Sequence, residues 1–380
     1  MMGTVLITQL DEHNEANIII TEELKPEEII FLYRKNEDNL MNSISKYYEK
    51  NFANIRLKEI NIIEGDINNL FNICNEAKLN SNVVINLTGG SRINSLILFD
   101  ISRKYAFKSV YLDVLNKKIY NLNESIEVKP INFNDLKLDE IIISTGGVVL
   151  QDSTNFSSKE DLVLLSKYIY NNLSIWHKYK NKLYDTNIFI HNYNSDNILI
   201  NTSTLDTYEK HLLKVILKKL KDIKNIDYYN IDENKIKVVF KNDYIRSFLF
   251  KSGTWLEIVT KNLINEIKEI DEVKNGVMFL WNNKSKIVKN ELDVIAMKDC
   301  IPICISCKDS DKYNEDTLNE LAIYSEKIGG ENVFKILVAT KEPTKNAVKV
   351  RAKEMGINII IFDGDEHKFK NNIINIIKSK

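Results

Sequence analysis

Five side chains in the last third of the chain have the types and spacing for phosphodiester chemistry. Glu291 and Asp293 stand two apart in Asn290-Glu291-Leu292-Asp293-Val294, and Ser306 and Lys308 stand two apart in Ile305-Ser306-Cys307-Lys308. Residues two apart on a strand share a face. On two paired strands this spacing brings carboxylates and an ammonium together. Carboxylates are hard oxygen ligands that suit Mg2+ or Mn2+, and such cations clamp the attacking and leaving oxygens of a phosphodiester. A lysine beside them orients water and offsets phosphate charge. Glu257, in Gly253-Thr254-Trp255-Leu256-Glu257, offers one more carboxylate. The expected metal ligands are therefore Asp293, Glu291 and Glu257, with Lys308 completing the catalytic set. A solvated salt-bridge cluster would use the same residue types. The enclosing apolar residues Val294, Ile295, Ile303 and Ile305 favour a built site instead.

A second pattern lies near the N-terminus. Asn86-Leu87-Thr88-Gly89-Gly90-Ser91-Arg92 follows the apolar run Val83 to Leu87 and precedes a helical pattern. Two glycines let a backbone approach a ligand closely, and a helix start offers free N–H groups and a positive dipole end to an anion. Thr88 and Ser91 add hydroxyls and Arg92 adds charge. Thr8 and Gln9, ending the first apolar run, are expected on the same rim. Gly-Gly also suits a plain tight turn, and the residues alone leave the two readings open. Neither the dinucleotide fingerprint nor the P-loop spacing is present.

The elements that must position these residues fall into three stretches. Residues 1–140 alternate strands (Thr4 to Thr8, Glu28 to Tyr33, Ile55 to Ile63, Val83 to Leu87, Val110 to Val114, Lys118 to Leu122) with helices (Asn36 to Lys50, one capped by Asp66 and running to Lys78, and Ile93 to Tyr105). Such alternation implies a mostly parallel sheet with helices on both faces. Residues 141–250 carry two long helical patterns, Lys159 to Leu183 and Thr207 to Ile223, with short strands at Ile188 to His191 and Lys235 to Phe240. This linker reads equally as winged-helix-like or as a helical spacer. Residues 251–380 open with a helix (Thr254 to Lys268), three strands (Gly276 to Trp281, Glu291 to Met297, Pro302 to Lys308), a helix (Glu315 to Lys327) and a strand (Val333 to Ala339), in the order α-β-β-β-α-β. A helix from Pro343 to Met355 and a strand from Asn358 to Phe362 follow.

Composition sets limits. The 380 residues are 44% hydrophobic and 28% charged, with a net charge of −1, so any nucleic-acid surface must be local. Cys300, Cys304 and Cys307 cluster, but buried thiols on a strand explain them better than a metal site. Three apart on a strand, Cys304 and Cys307 face opposite sides, and a tetrahedral site lacks its fourth ligand. No leader pattern and no apolar run near the roughly 20 residues of a membrane span is present. A cytoplasmic location is expected.

The Glu257, Asn290 to Val294 and Ile305 to Lys308 stretches resemble the motifs of the PD-(D/E)XK superfamily, the restriction-endonuclease-like fold. Gly329-Gly330 before the strand ending near Thr340 also fits. Together with the Asn86 to Arg92 loop, nearly the whole chain resembles the CARF-domain nucleases (CARF, CRISPR-associated Rossmann fold), ancillary effectors of type III CRISPR defence. The resemblance implies a homodimer that binds a cyclic oligoadenylate, most often cyclic tetra-adenylate, across two CARF domains. It implies activated, non-specific degradation of DNA, RNA or both. The expected fold class is thus α/β: a Rossmann-like CARF domain, a helical or winged-helix-like linker and a restriction-endonuclease-like core. One departure stands out. Ser306 occupies the position two before the lysine where the superfamily has an acid. Three other readings stay open: a non-catalytic nucleotide-sensing DNA-binding regulator, a nuclease controlled by a different ligand, and a sensor domain that slowly cleaves its own activator.

Overall fold

The computed structural model describes residues 3–79, 81–123, 125–191, 195–250, 253–281 and 289–379. The first sheet forms from apolar runs such as Val5-Leu6-Ile7 and Ile29-Ile30-Phe31-Leu32, which are buried on both faces as parallel strands require. Its elements are β1 (Gly3–Gln9), α1 (Glu15–Leu24), β2 (Glu28–Tyr33), α2 (Asp38–Asn51), β3 (Arg56–Asn61), α3 (Ile67–Lys78), β4 (Ser81–Asn86), α4 (Arg92–Tyr105), β5 (Lys108–Asp113), β6 (Lys118–Leu122) and β7 (Ile126–Pro130). The strand order is β3-β2-β1-β4-β5-β6-β7. The first five strands run parallel, β6 pairs antiparallel with β5, and β7 pairs antiparallel with β6. The order reverses between β1 and β4, and such a switch point opens a ligand crevice at the strands' carboxyl ends. Asp66 caps α3, its side chain accepting from the Asn69 amide at 3.0 Å.

The helix α1 was absent from the sequence-based expectation. Ile18, Ile19 and Ile20 are all fully buried. A helix buried all round shows no apolar stripe.

The middle segment contains α5 (Leu138–Ser144), β8 (Gly147–Gln151), α6 (Thr154–Ser157), α7 (Glu160–Tyr170), α8 (Leu173–Tyr179), β9 (Phe189–His191), β10 (Asn197–Asn201), α9 (Thr207–Asp222), β11 (Ile226–Asn230), β12 (Lys235–Phe240) and α10 (Asp243–Phe250). The single helix expected over Lys159 to Leu183 is broken at Asn171-Asn172. The Asn172 side chain donates to the Tyr168 carbonyl at 2.8 Å, a local bond that competes with helix continuation. Four strands form an antiparallel sheet in the order β11-β12-β10-β9.

The last elements are α11 (Thr254–Asn265), β13 (Glu272–Trp281), β14 (Asn290–Lys298), β15 (Ile301–Lys308), α12 (Glu315–Gly329), β16 (Phe334–Ala339), α13 (Asn346–Glu354), β17 (Ile357–Ile361) and α14 (Glu366–Ile377). They build a six-stranded sheet, β17-β16-β15-β14-β13-β8, whose outer strand is drawn from the middle segment. Hence β8 is not spacer: it pairs antiparallel with β13.

One face of this sheet shares a continuous core with the N-terminal domain. Ile18, Ile19, Met41 and Ile44 of α1 and α2 join Leu138 and Ile142 of α5, Val277 and Phe279 of β13, Ile295 of β14 and Leu318 of α12. Polar contacts pin the same junction: Leu138 N donates to Glu272 at 2.9 Å, and Lys117 Nζ lies 2.5 Å from Asp299. The opposite face packs on α7, α11, α14 and the middle sheet. Among the described residues no helix is long and apolar enough to cross a membrane.

Candidate active site and ligand loop

The strand pair β14 and β15 carries the catalytic candidates. Their antiparallel register runs from Lys298↔Ile301 to Val294↔Ile305. Beyond that point the Asp293 carboxylate takes over the pairing. Its Oδ2 accepts from the Cys307 amide at 2.6 Å and from the Ser306 hydroxyl at 3.1 Å, and Lys308 Nζ lies 3.6 Å away. The three donors converge on one oxygen, and Oδ1 takes none of these bonds. The Lys308 and Asp293 side chains remain 37% and 23% exposed, so the pair is open to a ligand. Ser306 is itself buried. In the position where the superfamily has an acid, this serine holds Asp293 instead of offering a second carboxylate.

Glu257 approaches from α11. Cys307 touches the same helix: its Sγ is 3.6 Å from the Thr260 hydroxyl, one helical turn beyond Glu257. Burial pushes the Cys307 thiol well above its usual range, the Asp293 and Glu257 charges push it further, and Lys308 opposes them. The three charges thus all act on one buried thiol. Glu291 behaves differently. It is exposed, opposite Met278 on β13. Leu292 and Val294, two apart, pack into different cores. The alternation breaks at Asp293, opposite Gly276, whose φ of +56° bends the neighbouring strand. Two-residue spacing therefore no longer places Glu291 on the face of Asp293.

Among the described residues no group of three His, Cys, Asp or Glu side chains is gathered closely enough to hold a metal ion. The expected trio of Asp293, Glu291 and Glu257 is not assembled into a cage. The oxygen chemistry still fits Mg2+ or Mn2+, because Mg2+ commonly keeps several waters and binds through one or two carboxylates plus substrate phosphates.

The cysteines are free and buried. Burial raises the Cys300 and Cys304 thiols to about 12. Cys304 and Cys307 point into opposite cores, as their spacing predicts.

One residue past Lys308, the structure reveals a cluster without a local sequence signal. Asp309 is buried and its carboxylate accepts from Trp176 Nε1 at 2.6 Å, Trp255 Nε1 at 3.0 Å, Thr340 Oγ1 at 2.8 Å and His177 Nε2 at 3.2 Å, with Lys180 Nζ at 3.1 Å. Burial alone raises a carboxyl pKa. Here the hydrogen bonds from His177 and Trp176, the Lys180 charge and the Trp255 bond outweigh it and hold Asp309 well below the usual carboxylate range.

The glycine loop sits at the switch point of the first sheet. Gly90 has φ +86°, and a Cβ there would come within 2.4 Å of the Gln9 Cβ. Its amide donates to Asp11 Oδ2 at 2.8 Å. Gln9 donates to Ser95 Oγ at 2.8 Å and reaches the Gly89 carbonyl at 3.4 Å. Thr8 turns inward: its hydroxyl bonds Asn17, and Asn86 Nδ2 donates to Asn17 Oδ1 at 2.7 Å. Thr88 Oγ1 donates to Asn86 at 2.6 Å and accepts from the Leu112 amide at 2.9 Å. Ser91 bonds Glu64, and Arg92 stands exposed at the first turn of α4. Sequence reasoning missed Asp11, Asn17 and Glu64, which reach the loop from elsewhere in the fold.

Residues 5–141 match the family described as the Card1 CARF domain, and residues 243–379 match the Card1-like endonuclease domain. No curated protein matches the chain. Among solved structures, Can2 from Sulfobacillus thermosulfidooxidans in complex with cyclic tetra-adenylate is 18% identical, covers 100% of this chain and 98% of its own, and has a TM-score of 0.73. VC1899 from Vibrio cholerae is 17% identical over 99% of this chain and 98% of its own, with a TM-score of 0.75. A type III CRISPR defence DNA nuclease activated by cyclic oligoadenylate is 12% identical, with a TM-score of 0.54 over 92% of this chain and 48% of that one. At these identities the likeness establishes the fold.

Proposed function

The chain belongs to the Card1-like CARF endonucleases, and from that premise we propose that it is a metal-dependent nuclease of type III CRISPR defence, switched on by cyclic tetra-adenylate. The convergence of Ser306, Cys307 and Lys308 on one oxygen of Asp293 is the observation that carries this reading. It fixes one carboxylate and aims one lysine at the open end of a strand pair. Asp293, helped by Glu257, would hold Mg2+ or Mn2+, while Glu291, turned away by the bend at Asp293, stands outside this set. When bound, that ion supplies Lewis acidity and a more acidic water. Lys308 carries positive charge to the phosphate and steadies the oxygen that attacks it. Ser306 keeps Asp293 oriented.

In the sensor domain the positive-φ loop Thr88 to Ser91 and the start of α4 form the anion site: Arg92 supplies charge to a phosphate over the helix start, and the Ser91 hydroxyl turns to it from Glu64, while Thr88 stays on Asn86 and the Gly90 amide on Asp11. Gln9 backs the loop, and Thr8 supports it from beneath. Beside this site, Ile67, Phe71, Ile93 and Leu96 of α3 and α4 are exposed apolar residues. They support a two-fold homodimer in which one near-symmetric ring bridges two loops. DNA, RNA or both are the substrate.

The activator half is tested by thermal unfolding with cyclic tri-, tetra- and hexa-adenylate. Specific binding raises Tm by mass action, by about 2.7 kcal/mol of apparent stability at 100 times Kd. A rise confined to cyclic tetra-adenylate, abolished by Arg92→Ala, is the expected result. No rise with any ring would remove the activator from the reading.

A further inference from the structure

Asp309 has more partners than structural satisfaction of one carboxylate requires, and their origins are informative. Trp176, His177 and Lys180 come from α8 and the turn after it, in the middle segment. Trp255 comes from α11, two residues before Glu257, and Thr340 follows β16. The side chains of Asp309, Lys180 and His177 are 1%, 12% and 15% exposed. The backbone is gripped as well: the Lys308 carbonyl accepts from the Thr340 amide at 3.2 Å, and the Asp309 carbonyl accepts from Lys180. Residues 308 and 309 are therefore held through two carbonyls and one buried, charged side chain. A buried carboxylate stripped of partners is strongly unfavourable. The strand end cannot shift unless α8 shifts with it.

We propose that Asp309 is a positioning residue that locks the Lys308 end of β15 to α8, so that the middle segment sets where the lysine stands relative to Asp293. The proposal rests on the reading of Lys308 as the lysine of the cleavage site. His177 Nε2 faces both Asp309 Oδ1 and Thr340 Oγ1, at 3.2 and 3.1 Å, and acts as a donor to the carboxylate. Trp176 spans the seam, with its indole N–H on Asp309 Oδ2 beside that of Trp255. The clamp acts through Lys308 and has no contact of its own with substrate.

The test compares wild type, Asp309→Asn and Trp176→Phe, all as full chains. Two readouts are taken. One is kcat and KM for cleavage with Mn2+ and cyclic tetra-adenylate. The other is the NMR signal of 13C-methylated Lys308, assigned by its loss in Lys308→Arg. The lock predicts that kcat falls about 30-fold in Asp309→Asn and about 5-fold in Trp176→Phe, with KM within about 2-fold. It also predicts that the Lys308 signal moves in both variants toward the exposed-lysine envelope. A merely structural role would lower Tm without moving that signal. An unchanged Lys308 signal together with unchanged kcat overturns the proposal. If wild type cleaves nothing while the signal still moves, the nuclease reading falls and the clamp stands. If Asp309→Asn does not fold, Trp176→Phe decides alone, because it keeps the other donors and most of the ring volume.

Discussion

At the end of β1 and β4 the polar groups satisfy one another. Thr8, Asn17, Asn86 and Thr88 form a chain of bonds, Asp11 holds the Gly90 amide, and Gln9 holds Ser95. At the end of β14 and β15 the arrangement is lopsided. One oxygen of Asp293 takes the converging donors, while Glu291 stands exposed. The first region is tied together before any ligand arrives and leaves the exposed Arg92, at the start of α4, to meet a phosphate. In the second, the Lys308 and Asp293 side chains stay partly exposed, open to an added cation and phosphate. Substitutions in the loop should therefore disturb binding and stability together. Substitutions at the strand edge should disturb turnover and leave stability nearly untouched.

The largest expected effect lies at the edge. Asp293→Asn or Lys308→Ala should lower cleavage by about 1000-fold, a loss of about 4 kcal/mol in transition-state stabilisation. The Tm rise on adding cyclic tetra-adenylate should survive. If both variants cleave like wild type, the two regions do not differ as described.

Gly90→Ala should do the reverse. A Cβ at φ +86° would press on Gln9, and such strain costs on the order of 1–3 kcal/mol. The expected result is a 10- to 100-fold weaker activator affinity and a lower Tm, with near-normal cleavage at saturating activator. Ser306→Ala removes one bond from Asp293 and should slow cleavage by about 10-fold, close to the worth of one hydrogen bond to a charged group. An unaltered rate would show that the Cys307 amide alone orients Asp293.

The smallest effect is in acid. The depressed pKa of Asp309 means its ionised form is favoured by folding. That stability is present above the unfolded carboxyl value of about 4 and is lost as pH falls below it. Thermal unfolding from about pH 6 to 3 should therefore fall more steeply for wild type than for Asp309→Asn. Parallel curves would show that the clamp carries no such linkage.

Much of this was readable from local pattern. The strands Glu28–Tyr33, Lys118–Leu122 and Lys235–Phe240 lie where their apolar spacing put them, and Asp66 caps its helix. Asp293, Ser306 and Lys308 could be brought together because they sit at fixed offsets on strands that pair. Other features were illegible for physical reasons. Helix α1 is buried on every side, so periodicity vanishes. Strand β8 is a five-residue edge whose partner lies far along the chain, and nothing in its own residues names β13. Gly276 alters the face on which Glu291 emerges, which strict alternation could not anticipate. The Asp309 clamp draws on residues 176, 177, 180, 255 and 340, so no spacing rule finds it.

The most direct test of the whole account is a cleavage assay on the unmodified chain. Supercoiled plasmid, single-stranded DNA and single-stranded RNA would each be incubated with Mn2+, with and without cyclic tetra-adenylate. The expected result is cleavage of at least one substrate only when the activator is present. Cleavage that ignores the activator would contradict the control by the sensor domain, and no cleavage of any substrate would contradict the nuclease itself.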